Sequence, residues 1–299
     1  MRTNSRNLTM VVALALAVAV IACPVVAQEK IDESASLKSD GTVIISNISG
    51  SITVTGWGRD KVEIKGTLGK GAERLAVEGD KKRLEIRVEL PKHSRNVEKT
   101  ILDIKVPKGC RLDVSAVSAD VDVSKCEGKI SIQSVSGDVG VIGRMERLEA
   151  ESVSGDVDLE VDCDDVVAAS VSGDLHVEGA SGKLNIATVS GDCRISGGEF
   201  ASIRMESVSG EVEFAGRIVG DGSFSFDSHS GDVVLTLARK SDAEFEITTF
   251  SGDIDNDFGS DGERSGKYSP GKELFFTLGS GAARVEVNSF SGDIYLKKK

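Results

Sequence analysis

The residues in this chain with the clearest capacity for chemistry are aspartates that follow a Ser-Gly pair at a fixed spacing. The segment Val135-Ser136-Gly137-Asp138-Val139 recurs almost unchanged twice more with an 18-residue period, which places Asp156 and Asp174 in equivalent positions. If equivalent residues stack, their carboxylates lie roughly 5 Å apart. Because calcium prefers several carboxylate oxygens, we predict Asp138, Asp156, Asp158 and Asp174 as candidate calcium ligands. The simpler interpretation of the same residues is a solvated acidic face.

The Ser and Gly of each copy have a structural interpretation as turn residues. Glycine tolerates a positive φ that a Cβ disfavours, and Ser and Asp side chains accept hydrogen bonds from nearby backbone amides. At the copy where Ala119 replaces the glycine, that conformation would cost about 1 kcal/mol. The predicted structural turn residues are Ser136, Gly137, Ser154, Gly155, Ser172 and Gly173.

The same repetition argues against an enzyme. Nucleophilic catalysis needs one unique arrangement of residues, whereas the serines here recur in the same setting in every copy. We therefore predict no catalytic residues and no cofactor, calcium aside. The alternative is a carbohydrate-active β-helix enzyme resembling a polysaccharide lyase, for which one Trp and two Tyr offer few aromatic platforms.

Alternating apolar residues on both sides of the Ser-Gly-Asp corner predict two short strands for each repeat. The copies centre on ten positions from Gly50 to Gly292, with nearly constant steps between Ala119 and Gly252. The same residue recurs at the same phase, as stacked coils require and a sandwich does not. We predict an all-β, single-chain β-solenoid (β-helix) of about ten coils. The final step, from Gly252 to Gly292, is about twice as long as the others and predicts two coils, one without the signature.

The chain divides into three predicted parts. Residues 1–27 have the basic start, apolar run and small residues of a secretory signal peptide, residues 28–110 form a β-rich N-terminal cap with the first repeat copy, and residues 111–299 form the solenoid. Two cleavage sites compete: ordinary cleavage after Ala27, or a lipobox ending in Cys23, which would then carry a lipid. Either predicts export to the periplasm, the cell surface or the medium.

Charge and cysteine content narrow the choice of partners. The formal net charge of −12 becomes more negative once the basic signal is removed, which argues against nucleic acid and against electrostatic binding to anionic lipid. Membrane contact is then expected only through a lipid on Cys23. Cys110 and Cys126 lie near one coil period apart and are the candidate disulfide, while Cys163 has no convincing partner and Cys193 falls on a buried position.

Several further motifs accompany the Val-Ser-Gly-Asp-Val repeats: Gly56-Trp57, Val106-Pro107-Lys108-Gly109, and the closing Ser289-Phe290-Ser291-Gly292-Asp293-Ile294. Together they resemble a bacterial adhesin-like family of extracytoplasmic β-solenoid repeat domains of unknown function. The resemblance implies a solenoid at the cell envelope and transfers no site residues. We predict a non-enzymatic envelope or secreted scaffold that binds an envelope protein, a surface protein or a glycan. A calcium-binding surface protein is an alternative.

Overall fold

The computed structural model describes residues 29–91, 97–238, 240–259, 261–264, 266 and 270–299. The predicted signal peptide and the candidate lipidation site at Cys23 lie outside the described residues. All regular secondary structure in these residues is β-strand, which confirms the all-β class. No helix in the described part of the chain is long and apolar enough to cross a membrane.

The strands follow one another closely along the chain. The first six are β1 (Glu29–Ser36), β2 (Thr42–Trp57), β3 (Lys61–Leu68), β4 (Arg74–Gly79), β5 (Arg83–Glu89) and β6 (Thr100–Pro107). The next nine are β7 (Arg111–Ser124), β8 (Lys129–Ser136), β9 (Val139–Arg144), β10 (Arg147–Ser154), β11 (Val157–Asp162), β12 (Asp165–Ser172), β13 (Leu175–Glu178), β14 (Gly182–Ser190) and β15 (Cys193–Ser209). The remainder are β16 (Val212–Ser230), β17 (Val233–Leu237), β18 (Ala243–Ser251), β19 (Ile254–Asn256), β20 (Glu263–Arg264), β21 (Lys272–Leu278), β22 (Ala283–Ser291) and β23 (Ile294–Lys298).

Successive repeats stack as parallel strands in the register that the repeat spacing predicts. On one wall β10 pairs with β8 and with β12, and on the other β11 pairs with β9 and with β13. Val157 therefore lies opposite Val139 on one side and Leu175 on the other. All three side chains are buried in one continuous apolar core. The result is a β-solenoid-like stack with an apolar interior.

Antiparallel strands cover the N-terminal end of the stack. β2 pairs in parallel with β7 on one side and with β5 and β6 on the other. β4 then pairs antiparallel with β5, β3 with β6, and β1 with β3. β2 belongs to the same parallel stack as β7, so the strand pairing marks no boundary between residues 110 and 111. The domain boundary predicted there stays a prediction.

The last repeats do not stack in chain order, contrary to the prediction of two coils between Gly252 and Gly292. Residues 223–230 of β16 pair with β22, and β17 pairs with β23. β22 and β23 also pair on their other side with β18 and β19. The coil of Gly292 thus lies between those of Gly231 and Gly252. Between β19 and β22, β21 runs antiparallel to β18, and the chain then returns to insert its final strands.

The glycines at the corner have the backbone conformation that the sequence predicts. Gly137, Gly155 and Gly173 have φ values of 140°, 141° and 148°. A Cβ on Gly155 would also lie 2.4 Å from the carbonyl oxygen of Gly137 in the neighbouring coil. The strain predicted at Ala119 is wrong, because Ala119 is not among the described residues with positive φ.

The disulfide predicted between Cys110 and Cys126 is not formed. Both residues are buried and carry free thiols, as do Cys163 and Cys193. Burial raises the pKa of Cys110 to about 12 and that of Cys126 to about 11. These side chains pack as apolar groups in the core, which suits a thiol held in its neutral form.

Candidate binding surface

The repeated aspartates form a ladder that links each coil to the next. The Asp156 amide donates to Asp138 Oδ1 at 3.0 Å, and the Asp174 amide donates to Asp156 Oδ1 at 2.9 Å. The Asp192 amide continues the series to Asp174 Oδ1 at 2.9 Å. These side chains were predicted to accept hydrogen bonds from nearby turn amides, whereas they accept them from the amide one coil away. This role alone accounts for an Asp in successive repeats.

The structure brings some of the candidate calcium ligands together. Asp156, Asp158 and Asp174 line a shallow cavity of about 380 Å³ with His176 and Arg194, and Asp138 is not part of its lining. Among the described residues, no group of three or more His, Cys, Asp or Glu side chains is placed to hold a metal ion. One oxygen of Asp138, Asp156 and Asp174 already accepts a backbone hydrogen bond. Calcium binding stays a prediction.

The serines of the repeat occupy two different environments. Those before the corner glycine, such as Ser136 and Ser154, are exposed and lie opposite one another in the parallel register. The serines two positions before these, such as Ser134 and Ser152, point inward and are buried. Ser134 Oγ donates to the Gly137 carbonyl at 3.3 Å. Both sets therefore belong to the corner of the coil.

A column of exposed apolar side chains lies two residues before the corner glycine and was not among the predicted site residues. We call it the valine stripe; each member is 36–49% exposed. Its members are Ile48, Val117, Val135, Val153, Val171, Val189 and Val208. Side chains alternate between the two faces along a strand. Since the residues seven, five and three positions before the glycine point inward, the residue two positions before it points outward. This alternation could have revealed the valine stripe from the sequence.

A long groove of about 720 Å³ runs beside the valine stripe. Its middle is lined by the small side chains of Ala169 and Ala187, and Glu151 and Glu206 occupy the equivalent position in the flanking coils. The exposed aspartate ladder lies beyond the corner on the other side of the stripe. The surface therefore combines an apolar floor with acidic margins.

Toward the C-terminal end, aromatic rings continue the same column. The rings of His229 and Phe290 stack with centroids 4.9 Å apart, and those of Phe250 and Phe290 stack at 5.0 Å. Both phenylalanines are about half exposed, at 53% and 51%. This order, 229–290–250, follows the inserted final coil. These rings and Lys272 line an adjoining cavity of about 610 Å³.

Comparison with known families agrees with this architecture. The family model described as Toastrack DUF4097 matches residues 34–297, nearly all of the described chain. The chain belongs to the Toastrack family. Membership confirms the resemblance to an adhesin-like family of unknown function, and it indicates no catalytic family. None of the curated proteins matches the sequence.

Solved structures similar to this Toastrack chain are only distantly related to it in sequence. A candidate adhesin from Bacteroides fragilis is 14% identical to this chain, with a TM-score of 0.43. The match covers 90% of this chain and 98% of the adhesin chain. A candidate lipid-binding protein from Parabacteroides distasonis is 11% identical with a TM-score of 0.44, covering 89% and 96%. At these values the similarity carries no argument about function.

Proposed function

We propose that this Toastrack chain is a non-enzymatic, extracytoplasmic scaffold whose valine stripe binds an extended segment of a partner protein. The observation that carries the proposal is the unbroken column of half-exposed apolar side chains along one face of the stack. Apolar patches of this kind on a soluble surface are a mark of interaction sites. The scaffold is proposed as a stack of about ten coils at the cell envelope or outside the cell.

Strand propensity alone does not explain the valine stripe. Thr favours strands as Val does and would leave a polar surface, yet every member of the stripe is Val or Ile. Covering a half-exposed Val contributes about 1 kcal/mol. Seven such side chains in line therefore offer substantial binding energy to a ligand that follows the column.

The shape and charge of this surface favour one kind of partner. The stripe is one side chain wide and about 29 Å long, from six coil steps of roughly 4.8 Å, which suits a linear segment. The aspartate ladder and the two flanking glutamates favour basic side chains beside the apolar ones. Aliphatic side chains offer no aromatic platform between Ile48 and Val208, so a protein segment fits better than a glycan there.

Peptide binding tests the proposal directly. We expect a fluorescent peptide of alternating Lys and Leu to bind the mature chain, and one of alternating Glu and Leu to bind at least tenfold more weakly. Replacing Val135, Val153 and Val171 together with Ser should weaken the Lys-Leu peptide at least tenfold, since the apolar floor is lost. These positions are half exposed, so the fold should remain intact by circular dichroism.

The matched control changes the same kind of residue elsewhere. Ile101, Ile142 and Phe275 are 46%, 55% and 61% exposed and lie outside the stripe; replacing all three with Ser should leave peptide binding unchanged. Equal loss in both triple variants, or equal binding of the Glu-Leu peptide, would show that the stripe is not the binding surface.

Export is the second part of the proposal, and its support is the sequence of residues 1–27. Mass spectrometry of the mature protein from a bacterial envelope should give an N-terminus at Gln28 after ordinary cleavage. A diacylglycerol mass on Cys23 would instead establish a lipoprotein. An intact N-terminus at Met1 in the cytoplasm would contradict export.

A further inference from the structure

The net charge of the chain hides a strong asymmetry between its two parts. Residues 28–110 carry 16 Lys and Arg against 13 Asp and Glu, whereas residues 111–299 carry 18 against 35. Lys92 and Arg95 lie outside the described residues, so the described part of the cap is close to charge balance, and the acidic character belongs to the repeats. The total charge of the chain therefore does not describe this end of the molecule.

Three of these cations surround the only Trp of the chain. Trp57 ends β2 and is partly exposed, and its indole N–H donates to the Lys61 carbonyl at 2.9 Å. The Arg59 guanidinium, the Lys61 ammonium and the Lys105 ammonium lie 5.0, 5.4 and 5.7 Å from the ring centroid. We call Trp57, Arg59, Lys61 and Lys105 the Trp57 patch. Glu63 contacts Lys61 at 3.5 Å and offsets part of its charge.

Backbone hydrogen bonds bring further basic turns to the same corner. The Leu37 amide donates to the Asp60 carbonyl at 3.2 Å, which joins the turn after β1 to the turn of Arg59. The next amide, of Lys38, donates to the Lys81 carbonyl at 2.8 Å, and the Lys82 carbonyl accepts from Thr42. The side chains of Lys38, Lys81 and Lys82 are exposed. Asp40, Asp60 and Asp80 are exposed in the same three turns, so the corner presents cations with carboxylates beside them.

We propose that the Trp57 patch and these turns bind the surface of an anionic lipid bilayer. Trp prefers the membrane–water interface, and each Lys or Arg near an anionic surface contributes about 1 kcal/mol. β1 ends beside the patch, since Ser36 lies opposite Lys61, whereas Glu29 at its start lies opposite Leu68 at the far end of β3. The acidic repeats then extend away from the lipid, with the valine stripe free for its partner.

The single Trp makes the test direct. With the mature chain from Gln28, which carries no lipid, we expect vesicles of equimolar phosphatidylglycerol and phosphatidylcholine to shift the Trp57 emission to the blue. The protein should also sediment with these vesicles at low salt and stay in solution at high salt, because screening removes the attraction. Vesicles of phosphatidylcholine alone should bind at least tenfold more weakly.

Charge-reversal variants distinguish the patch from charge in general. The variant R59E/K61E/K105E should lose binding to the anionic vesicles by about 30-fold or more. Its control, K129E/K183E/R204E, makes the same change of charge on exposed residues of the repeats and should bind as the wild type does. Equal loss in both variants, or no blue shift with anionic vesicles, would overturn the proposal. Binding to dextran sulfate without binding to vesicles would also overturn it, in favour of an anionic glycan.

Discussion

At the scale of single residues, the corner of each coil depends on groups that act on the neighbouring coil. Asp156 accepts the Asp174 amide at 2.9 Å, and Gly155 leaves room for the Gly137 carbonyl. Sequence analysis predicted the identity of these turn residues and the positive φ of the glycine. It could not predict that the aspartate reaches the next coil, because a turn within one coil would select the same residue.

Substitution of Asp156 separates its role as hydrogen-bond acceptor from its charge. Asp156→Ala should lower the Tm by about 2 °C, since the Asp174 amide loses its partner. Asp156→Asn keeps an oxygen in the place of Oδ1 and should remain within about 1 °C of the wild type. Thermal unfolding followed by circular dichroism measures both. A larger loss with Asn than with Ala would contradict the ladder.

Adding a methyl group to a corner glycine should destabilise the fold far more than removing the methyl group of Ala119. Gly155→Ala combines a φ of 141° with a Cβ at 2.4 Å from the Gly137 carbonyl oxygen, so we expect a loss of about 2 kcal/mol. Ala119→Gly should cost no more than about 1 kcal/mol, because Ala119 already avoids positive φ. Urea unfolding compares the two, and equal losses would show that the corner is not constrained as described.

At the scale of strands, the spacing of the repeat was sufficient to predict which residues stack. Val139, Val157 and Leu175 lie opposite one another as the repeat period requires. The order of the final coils was beyond the sequence, because the long step from Gly252 to Gly292 fits two successive coils as well as one inserted coil. Only the pairing of β22 with both β16 and β18 distinguishes these arrangements.

The inserted coil predicts an unusual effect of C-terminal truncation. Removing residues 283–299 should expose β18 as well as β17, since β22 and β23 pair with strands on both sides. Amide hydrogen exchange should therefore show lost protection in β18, while β8, in the middle of the stack, stays protected. Removing only residues 297–299 is the control and should leave β18 protected. Retained protection of β18 in the longer truncation would contradict the insertion.

Asp242 should make the turn before β22 sensitive to acid. Hydrogen bonds from the Ala282 amide and from Ser280 lower the pKa of Asp242 below its ordinary value. Since the folded pKa lies below the unfolded value of about 3.9, the stabilisation is complete above about pH 4 and is lost as the pH falls through the lowered pKa. Hydrogen exchange in β22 should rise over that range in the wild type, beyond the general effect of acid. In Asp242→Asn this additional rise should be absent.

At the scale of the whole molecule, the stack divides the charges and the surfaces between its two parts. Each coil contacts its neighbours through in-register strands, so an outward position repeated in every coil becomes a continuous column. The valine stripe and the aspartate ladder are two such columns, and neither exists in any single repeat. The cap adds antiparallel strands and turns outside the repeat to one end of this stack. The acidic charge therefore belongs to the repeats, and the described part of the cap is close to charge balance.

The acidic columns lead to a test of calcium binding that involves the whole stack. Screening weakens the repulsion among exposed carboxylates, so the Tm should rise with ionic strength in sodium or magnesium chloride alike. Because one oxygen of Asp138, Asp156 and Asp174 already accepts a backbone amide, we expect calcium at equal ionic strength to add no more than magnesium does. A rise specific to calcium, lost in the variant D156N/D158N, would instead establish the predicted site. The single variant D158N should then also remove the rise, since Asp158 is not one of the carboxylates that accept a ladder amide.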